Sequence, residues 1–132
     1  MAKVLMVDDD PDIIAAVRVP LEACGHQFHA ARTGAEGLRM VKETNPDLII
    51  LDVMMETLTA GFHVSLTLRD PAPDSEYAPY RNTPILMLTS IHSATTLRFA
   101  PDKDYLPVDA LLEKSAAPEK LLATVDELLK RS

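Results

Sequence analysis

The stretch VLMVDDDPDI at residues 4–13 passes from four apolar residues straight into three carboxylates and a proline. Val4 to Val7 is apolar on successive rather than alternate positions, which is the pattern of a strand covered on both faces, and such strands belong to parallel sheets. The pattern returns at Leu48–Leu51, Ile85–Leu88 and Ala110–Leu112, with a weaker run at Gln27–Ala31. Helical segments are predicted between them over Asp12–Ala23, Ala35–Glu43 and Phe62–Arg69, with a poorly patterned one near Ser93–Phe99 and a last one over Pro118–Arg131. The last carries Leu121, Leu122, Val125, Leu128 and Leu129 as one apolar stripe. Asp10 before Pro11 reads as a helix N-cap, and Gly25 and Asn45-Pro46 as helix ends. Pro20 is expected to kink or distort the first helix. Five strands alternating with helices predict an α/β fold with a five-stranded parallel sheet and helices on both faces. The stretch from Asp70 to Pro84, with four prolines, reads as a long loop.

A chain of 132 residues fits one domain. At 47% hydrophobic and 25% charged it has the balance of a globular protein. Twenty acidic against thirteen basic residues give a formal charge of -7, which disfavours direct binding to nucleic acid. No apolar run approaches the roughly 20 residues of a membrane span, and Met1 to Val7 lacks the features of a signal peptide. A cytoplasmic location is expected. A single cysteine closes no internal disulfide, and Cys24 reads as core packing at its helix. The four histidines show no ligand spacing; His26 and His29, on one strand, would face opposite ways. Neither a Walker-type phosphate loop nor a G-x-G-x-x-G turn is present.

In an open parallel sheet, ligands bind outside the carboxyl ends of the strands. Those ends deliver Asp8 and Asp9, then Asp52, then Thr89 and Ser90, and finally Lys114 beyond Glu113. Three carboxylates together repel one another unless a cation joins them, and Mg2+ is the natural hard ion for such donors. Mg2+ and a lysine beside a carboxylate suit phosphoryl transfer, with an aspartate as nucleophile. Asp52, alone at its strand end, is the candidate nucleophile, Asp8 and Asp9 the metal clamp, and Thr89 a donor to a phosphoryl oxygen. The spacing of Asp8, Asp10 and Asp12 also mimics a calcium loop, but Ile13 and Val19 stand where Gly and Glu are required.

These residues resemble the receiver domains of two-component response regulators (the CheY-like superfamily). The resemblance runs through VLMVDDDPDI at 4–13, LIILDVMM at 48–55, Gly61, PILMLTS at 84–90 and LLEKS at 111–115. It implies a flavodoxin-like, doubly wound sheet of order 2-1-3-4-5. It also implies that Asp52 is phosphorylated by a sensor histidine kinase or phosphotransfer protein. Asp9 would bind Mg2+ directly, Asp8 through water, and Asp52 and the backbone carbonyl of Met54 would complete the protein ligands. Thr89 would move toward the phosphoryl group and Lys114 would pair with it. The expected protein is a single receiver domain over residues 1–132 with no output domain, acting through a downstream protein partner.

Some positions depart from the family pattern. Ser115 follows Lys114 where Pro is usual, and a cis bond there would cost roughly 2.5 to 4 kcal/mol. Leu111 occupies the aromatic switch position, with Tyr105 a possible substitute, and Glu56 stands where Pro is common. The loop after the third predicted helix is long, and Pro101 and Pro107 break the fourth-helix region. These departures predict retained chemistry with an altered signalling surface. Met54 and Ile91, at the positions that influence an attacking water in this family, predict slow self-dephosphorylation. Two alternatives remain open: a degenerate receiver that binds a protein without phosphorylation, and an aspartate-nucleophile phosphatase. The latter class wants D-x-D-x-T/V, and Asp12 occupies the Thr or Val position.

Overall fold

Each of the four apolar runs forms a strand one residue longer than the run, because the ladder continues onto a flanking polar residue. The computed structural model describes residues 2–52, 64, 67–70, 72, 74–89, 109–113 and 117–131. Its strands are β1 (Lys3–Val7), β2 (Gln27–Ala31), β3 (Leu48–Asp52), β4 (Ile85–Thr89) and β5 (Ala110–Glu113). Helix α1 spans Pro11–Ala23, α2 spans Gly34–Thr44, and the last helix spans Pro118–Arg131. All strand pairs are parallel and the order is β2-β1-β3-β4-β5, as the resemblance implied.

Successive strand residues point to opposite faces, and here both faces are dry. On one, Leu5, Val7, Ile49, Leu51, Ile85 and Met87 pack with Val41 of α2 and with Val64 and Leu68. On the other, Val4, Met6, Leu48, Ile50, Leu86, Leu88 and Leu112 meet Val17 and Leu21 of α1 and Leu121, Val125 and Leu128 of the last helix. This two-sided burial is why the strands read as continuous apolar runs. Val64, Thr67 and Leu68 are helical inside the segment predicted at 62–69, whereas Arg69 lies in a turn. The segment predicted near Ser93–Phe99 lies outside the described residues. Among the described residues no helix is long and apolar enough to cross a membrane.

Local chemistry explains the helix ends. Asp10 caps α1, its carboxylate accepting from the Asp12 N–H at 2.9 Å, with Pro11 in the first turn. Pro20 removes the donor that would bond Ala16, yet helical geometry continues to Ala23. Gly25 then adopts φ 87°, a left-handed conformation that reverses the chain at little cost only for glycine. Two histidine and cysteine expectations need correction here. Cys24 is exposed rather than packed in the core. It stands seven residues after Val17 and would extend the buried stripe of a longer helix, but the helix closes at Ala23 and Cys24 caps it. His26 precedes β2 instead of sharing it with His29, and its Nδ1 accepts from the Ala2 N–H at 3.1 Å.

Thr33 caps α2, accepting from the Glu36 N–H at 3.1 Å in a T-x-x-E arrangement, and Asn45 closes the helix at φ 50°. Within α2, Gly37 lies so close to β1 that an added Cβ would stand 2.7 Å and 2.9 Å from the two methyls of buried Val7. Gly37→Ala should therefore destabilise the fold by about 1–3 kcal/mol through overpacking, despite alanine's better helix propensity. Urea unfolding checks this; a stabilised variant would show that the helix can lift off the strand freely.

The proline-rich loop after Arg69 is pinned at several points. Tyr77 and Tyr80 pack partly buried against the face that holds α2. The Tyr80 hydroxyl donates to Asn45 Oδ1 at 2.8 Å, while Lys42 pairs with Glu76 and lies over the Tyr77 ring, 5.0 Å from its centre. A 3₁₀ turn forms over Ala78–Tyr80. Arg81 donates to the carbonyls of Asp70 and Ala72, both at 2.9 Å.

Arg69 ties this loop to the amino ends of β4 and β5. Its guanidinium donates to the carbonyl of Arg81, to that of Thr83 at 2.8 Å, and to Asp109 Oδ2 at 2.6 Å. The same carboxylate oxygen accepts from the Ile85 N–H at 2.8 Å. Burial pulls the Arg69 pKa below its ordinary value, and the neighbouring Asp109 pulls it back up. Asp109→Ala strands a largely buried cation and an amide, so we expect a loss of about 2 kcal/mol in denaturant unfolding. Loss of only a few tenths would mean that Arg69 swings out to water.

Candidate functional site

The parallel register brings the predicted carboxylates together. Val7 of β1 is aligned with Leu51 of β3, so the residues that follow, Asp8 and Asp52, emerge side by side at the carboxyl edge of the sheet. Asp8 extends the pairing of β1 with β2: its N–H donates to the Ala31 carbonyl at 3.0 Å. The Asp8 side chain is 0% exposed and Asp52 is 2% exposed, the two buried charged residues among those described. Asp9, one residue into the turn, is exposed. One carboxylate oxygen from each of Asp8, Asp9 and Asp52 lies within 4.8 Å of the others.

The third aspartate of the run has a different task. Asp10 spends its carboxylate on the α1 cap, and its own N–H donates to Asp8 Oδ1 at 2.9 Å. That bond fixes the Asp8 side chain and leads the chain into α1. The helix cap thus stiffens the loop that carries the carboxylate pair.

Electrostatics dictates what the cluster can hold. At an effective dielectric of about 20, two unit negative charges near 5 Å repel by about 3 kcal/mol. A hard cation between them removes that penalty, and all three donors are carboxylate oxygens, the type that Mg2+ prefers. Two oxygens bound to the same Mg2+ stand at most about 4.2 Å apart, twice the usual bond length. A spread within 4.8 Å is close enough for these carboxylates to share one ion after small shifts, directly or with one reached through water. The donor set fits the ion.

Thr89 is the last residue of β4, one beyond Leu88, the register partner of Asp52. Its backbone thus ends at the same edge, and it is aligned with Glu113, the residue before Lys114. Lys114, Met54 and Ser90 lie outside the described residues, as do Glu56, Gly61, Ile91, Tyr105 and Ser115; Leu111 lies within β5.

One residue at this edge escaped the reading of the sequence. Arg32 follows the last residue of β2, and its Nη2 donates to the Asp9 carbonyl at 3.3 Å. The signal was available in its position immediately after the Gln27–Ala31 run. That run is the least apolar of the five, so its end is the least clearly marked in the sequence.

Comparison with known proteins agrees with this geometry. Residues 4–126 match the family described as the response regulator receiver domain. Response regulator MprA of Mycobacterium leprae (strain TN) is 35% identical over 133 residues, covering 98% of this chain and 52% of that protein. The chain thus spans about half the length of the curated relatives it matches. The structure of the chemotaxis response regulator CheY4 of Vibrio cholerae superposes with a TM-score of 0.79 at 33% identity, covering 97% of this chain and 98% of that one. The signal receiver domain of a signal transduction histidine kinase from Syntrophus aciditrophicus gives a TM-score of 0.75 at 26% identity, covering 98% and 91%.

Proposed function

The chain belongs to the response regulator receiver domain family, and from that premise we propose that it is a phosphorylation-dependent module of a two-component phosphorelay. Asp52 accepts a phosphoryl group from a sensor histidine kinase or phosphotransfer protein, and the phosphorylated form acts through a downstream protein partner. The observation that carries this reading is the gathering of Asp8, Asp9 and nearly buried Asp52 at the carboxyl edge of the sheet.

The chemistry is a displacement at phosphorus. A carboxylate oxygen of Asp52 attacks the phosphorus atom, the bond to the donor nitrogen breaks, and its electron pair leaves with the imidazole. The product is an acyl phosphate on Asp52. Asp8, Asp9, Asp52 and the Met54 carbonyl would hold Mg2+, which when bound would neutralise charge on the phosphoryl oxygens. Thr89 donates to one of those oxygens, and Lys114 supplies a second positive charge. Met54 and Ile91 offer no side-chain group to orient an attacking water, so the phosphorylated state should persist well beyond seconds, measured as phosphate release after donor removal.

The test is incubation with acetyl phosphate and Mg2+ followed by intact-mass measurement. A gain of one phosphoryl group supports the proposal. No gain supports a receiver fold that binds its partner without phosphorylation, for which Leu111 and Ser115 are the sequence motive. Steady phosphate release from many esters would instead indicate a phosphatase.

A further inference from the structure

We propose that Arg32 is a specificity-determining residue of the phosphorylation site, a fixed positive charge at its rim that favours dianionic over monoanionic small phosphodonors. The inference rests on the assignment of Asp52 as acceptor. Its starting point is backbone register. Val7 pairs with Ala31, and the ladder runs one step further through the Asp8 N–H and the Ala31 carbonyl. The residue after Ala31 must therefore emerge beside the Asp8–Asp9 turn. On its other side Thr33 is held as the N-cap of α2. Arg32 is thus anchored between a buried strand residue and a helix cap, and its guanidinium reaches the Asp9 carbonyl.

Two roles are physically open to such a residue, and magnitude separates them. A contact of 3.3 Å from an exposed side chain lies just beyond the usual range of N–H···O bonds and holds the turn only weakly. A full positive charge, by contrast, acts over a Debye length of about 10 Å at 0.1 M salt, and Arg32 touches the turn of Asp9, whose carboxylate lies within 4.8 Å of that of Asp52. The donor must bring an anionic group toward three carboxylates on a chain of net charge -7. A cation at the rim offsets that repulsion, and the offset grows with the charge of the donor. Arg32 therefore acts before transfer, on encounter, and not on the bonds that form and break.

The test compares wild type, Arg32→Gln and Arg32→Lys, following the rate of mass gain with saturating Mg2+. Acetyl phosphate serves as the dianionic donor and phosphoramidate as the monoanionic one. Arg32→Gln should slow the acetyl phosphate reaction by about three- to tenfold at low salt and the phosphoramidate reaction by less than about twofold. Arg32→Lys should keep most of the wild-type rate. The difference should vanish near 1 M salt, where the Debye length is about 3 Å. Calorimetric titration of the unphosphorylated protein with Mg2+ supplies an independent reading: Arg32→Gln should bind the ion as tightly as wild type or more tightly, since a neighbouring positive charge is gone. Equal slowing with both donors at any salt, or weaker Mg2+ binding, would assign Arg32 to holding the turn and overturn the proposal, as would unchanged rates. If wild type itself gained no phosphoryl group, the reading of Asp52 would fall and this one with it; loss of the variant effect alone removes only Arg32.

Discussion

Asp52→Asn will abolish the one-phosphoryl mass gain seen with acetyl phosphate and Mg2+. The substitution keeps the shape of a side chain that is 2% exposed but replaces the attacking carboxylate oxygen with a neutral amide of negligible nucleophilicity. Its neighbours are poorly placed to take over. Asp8 is fully buried with one oxygen committed to the Asp10 N–H, and Asp9 is exposed on the turn after β1, where water competes for its carboxylate. The variant should still fold, because it removes one of three mutually repelling charges while leaving the apolar run Leu48–Leu51 intact. In the absence of Mg2+ we expect it to be more stable than wild type by about 1 kcal/mol, a fraction of the pair repulsion in a partly screened site. A folded variant that is silent to acetyl phosphate would identify the acceptor. A folded variant that still gains mass at the wild-type rate would move the acceptor elsewhere, with Asp8 and Asp9 the first positions to examine.

How much of this was legible beforehand differs from element to element. The sheet was legible because a strand buried on both faces has no choice of polar residues: Val4–Val7 and Leu48–Leu51 could hardly be anything else in a chain this short. The strand ends followed, since the first charged residue after such a run marks the carboxyl edge of the sheet, and Asp8 and Asp52 stand there. Asp10 was legible as a cap because proline at the next position suits a first helical turn. Other features depended on distance in space that no local pattern encodes. The exposure of Cys24 was set by where α1 stops, which Gly25 decides by reversing the chain. The pinning of the proline-rich loop needed Arg69 to meet Asp109, forty residues away in sequence, and Tyr80 to meet Asn45. Arg32 depended on the pairing of β1 with β2, the strand whose apolar signal is weakest. The tight seat of Gly37 on Val7 is likewise a fact of packing between layers, since a glycine inside a helical pattern looks merely unfavourable when read alone.

Mg2+ should stabilise the protein, and removing a carboxylate should change stability in opposite directions with and without the ion. An ion that binds only the folded state stabilises it by about 2.7 kcal/mol at a hundredfold excess over its Kd. For a chain of this size that corresponds to a rise of roughly 8 °C in Tm, at about 3 °C per kcal/mol. Asp8→Asn preserves an oxygen that can accept from the Asp10 N–H, so the turn should survive while one negative charge leaves the cluster. In chelator, the variant should melt at or above the wild-type temperature, because the remaining carboxylates repel less. In excess Mg2+ it should melt below wild type, because the donor set no longer carries the charge that held the ion. Asp9→Asn should lose as much of the Mg2+ response but change little in chelator, since Asp9 is exposed and its repulsion is already screened. The crossing of the wild-type and Asp8→Asn melting temperatures between the two conditions is the diagnostic result. An acidic turn whose task was only to cap α1 and face solvent would respond identically in both conditions, and parallel shifts would therefore remove the metal from the account of this site.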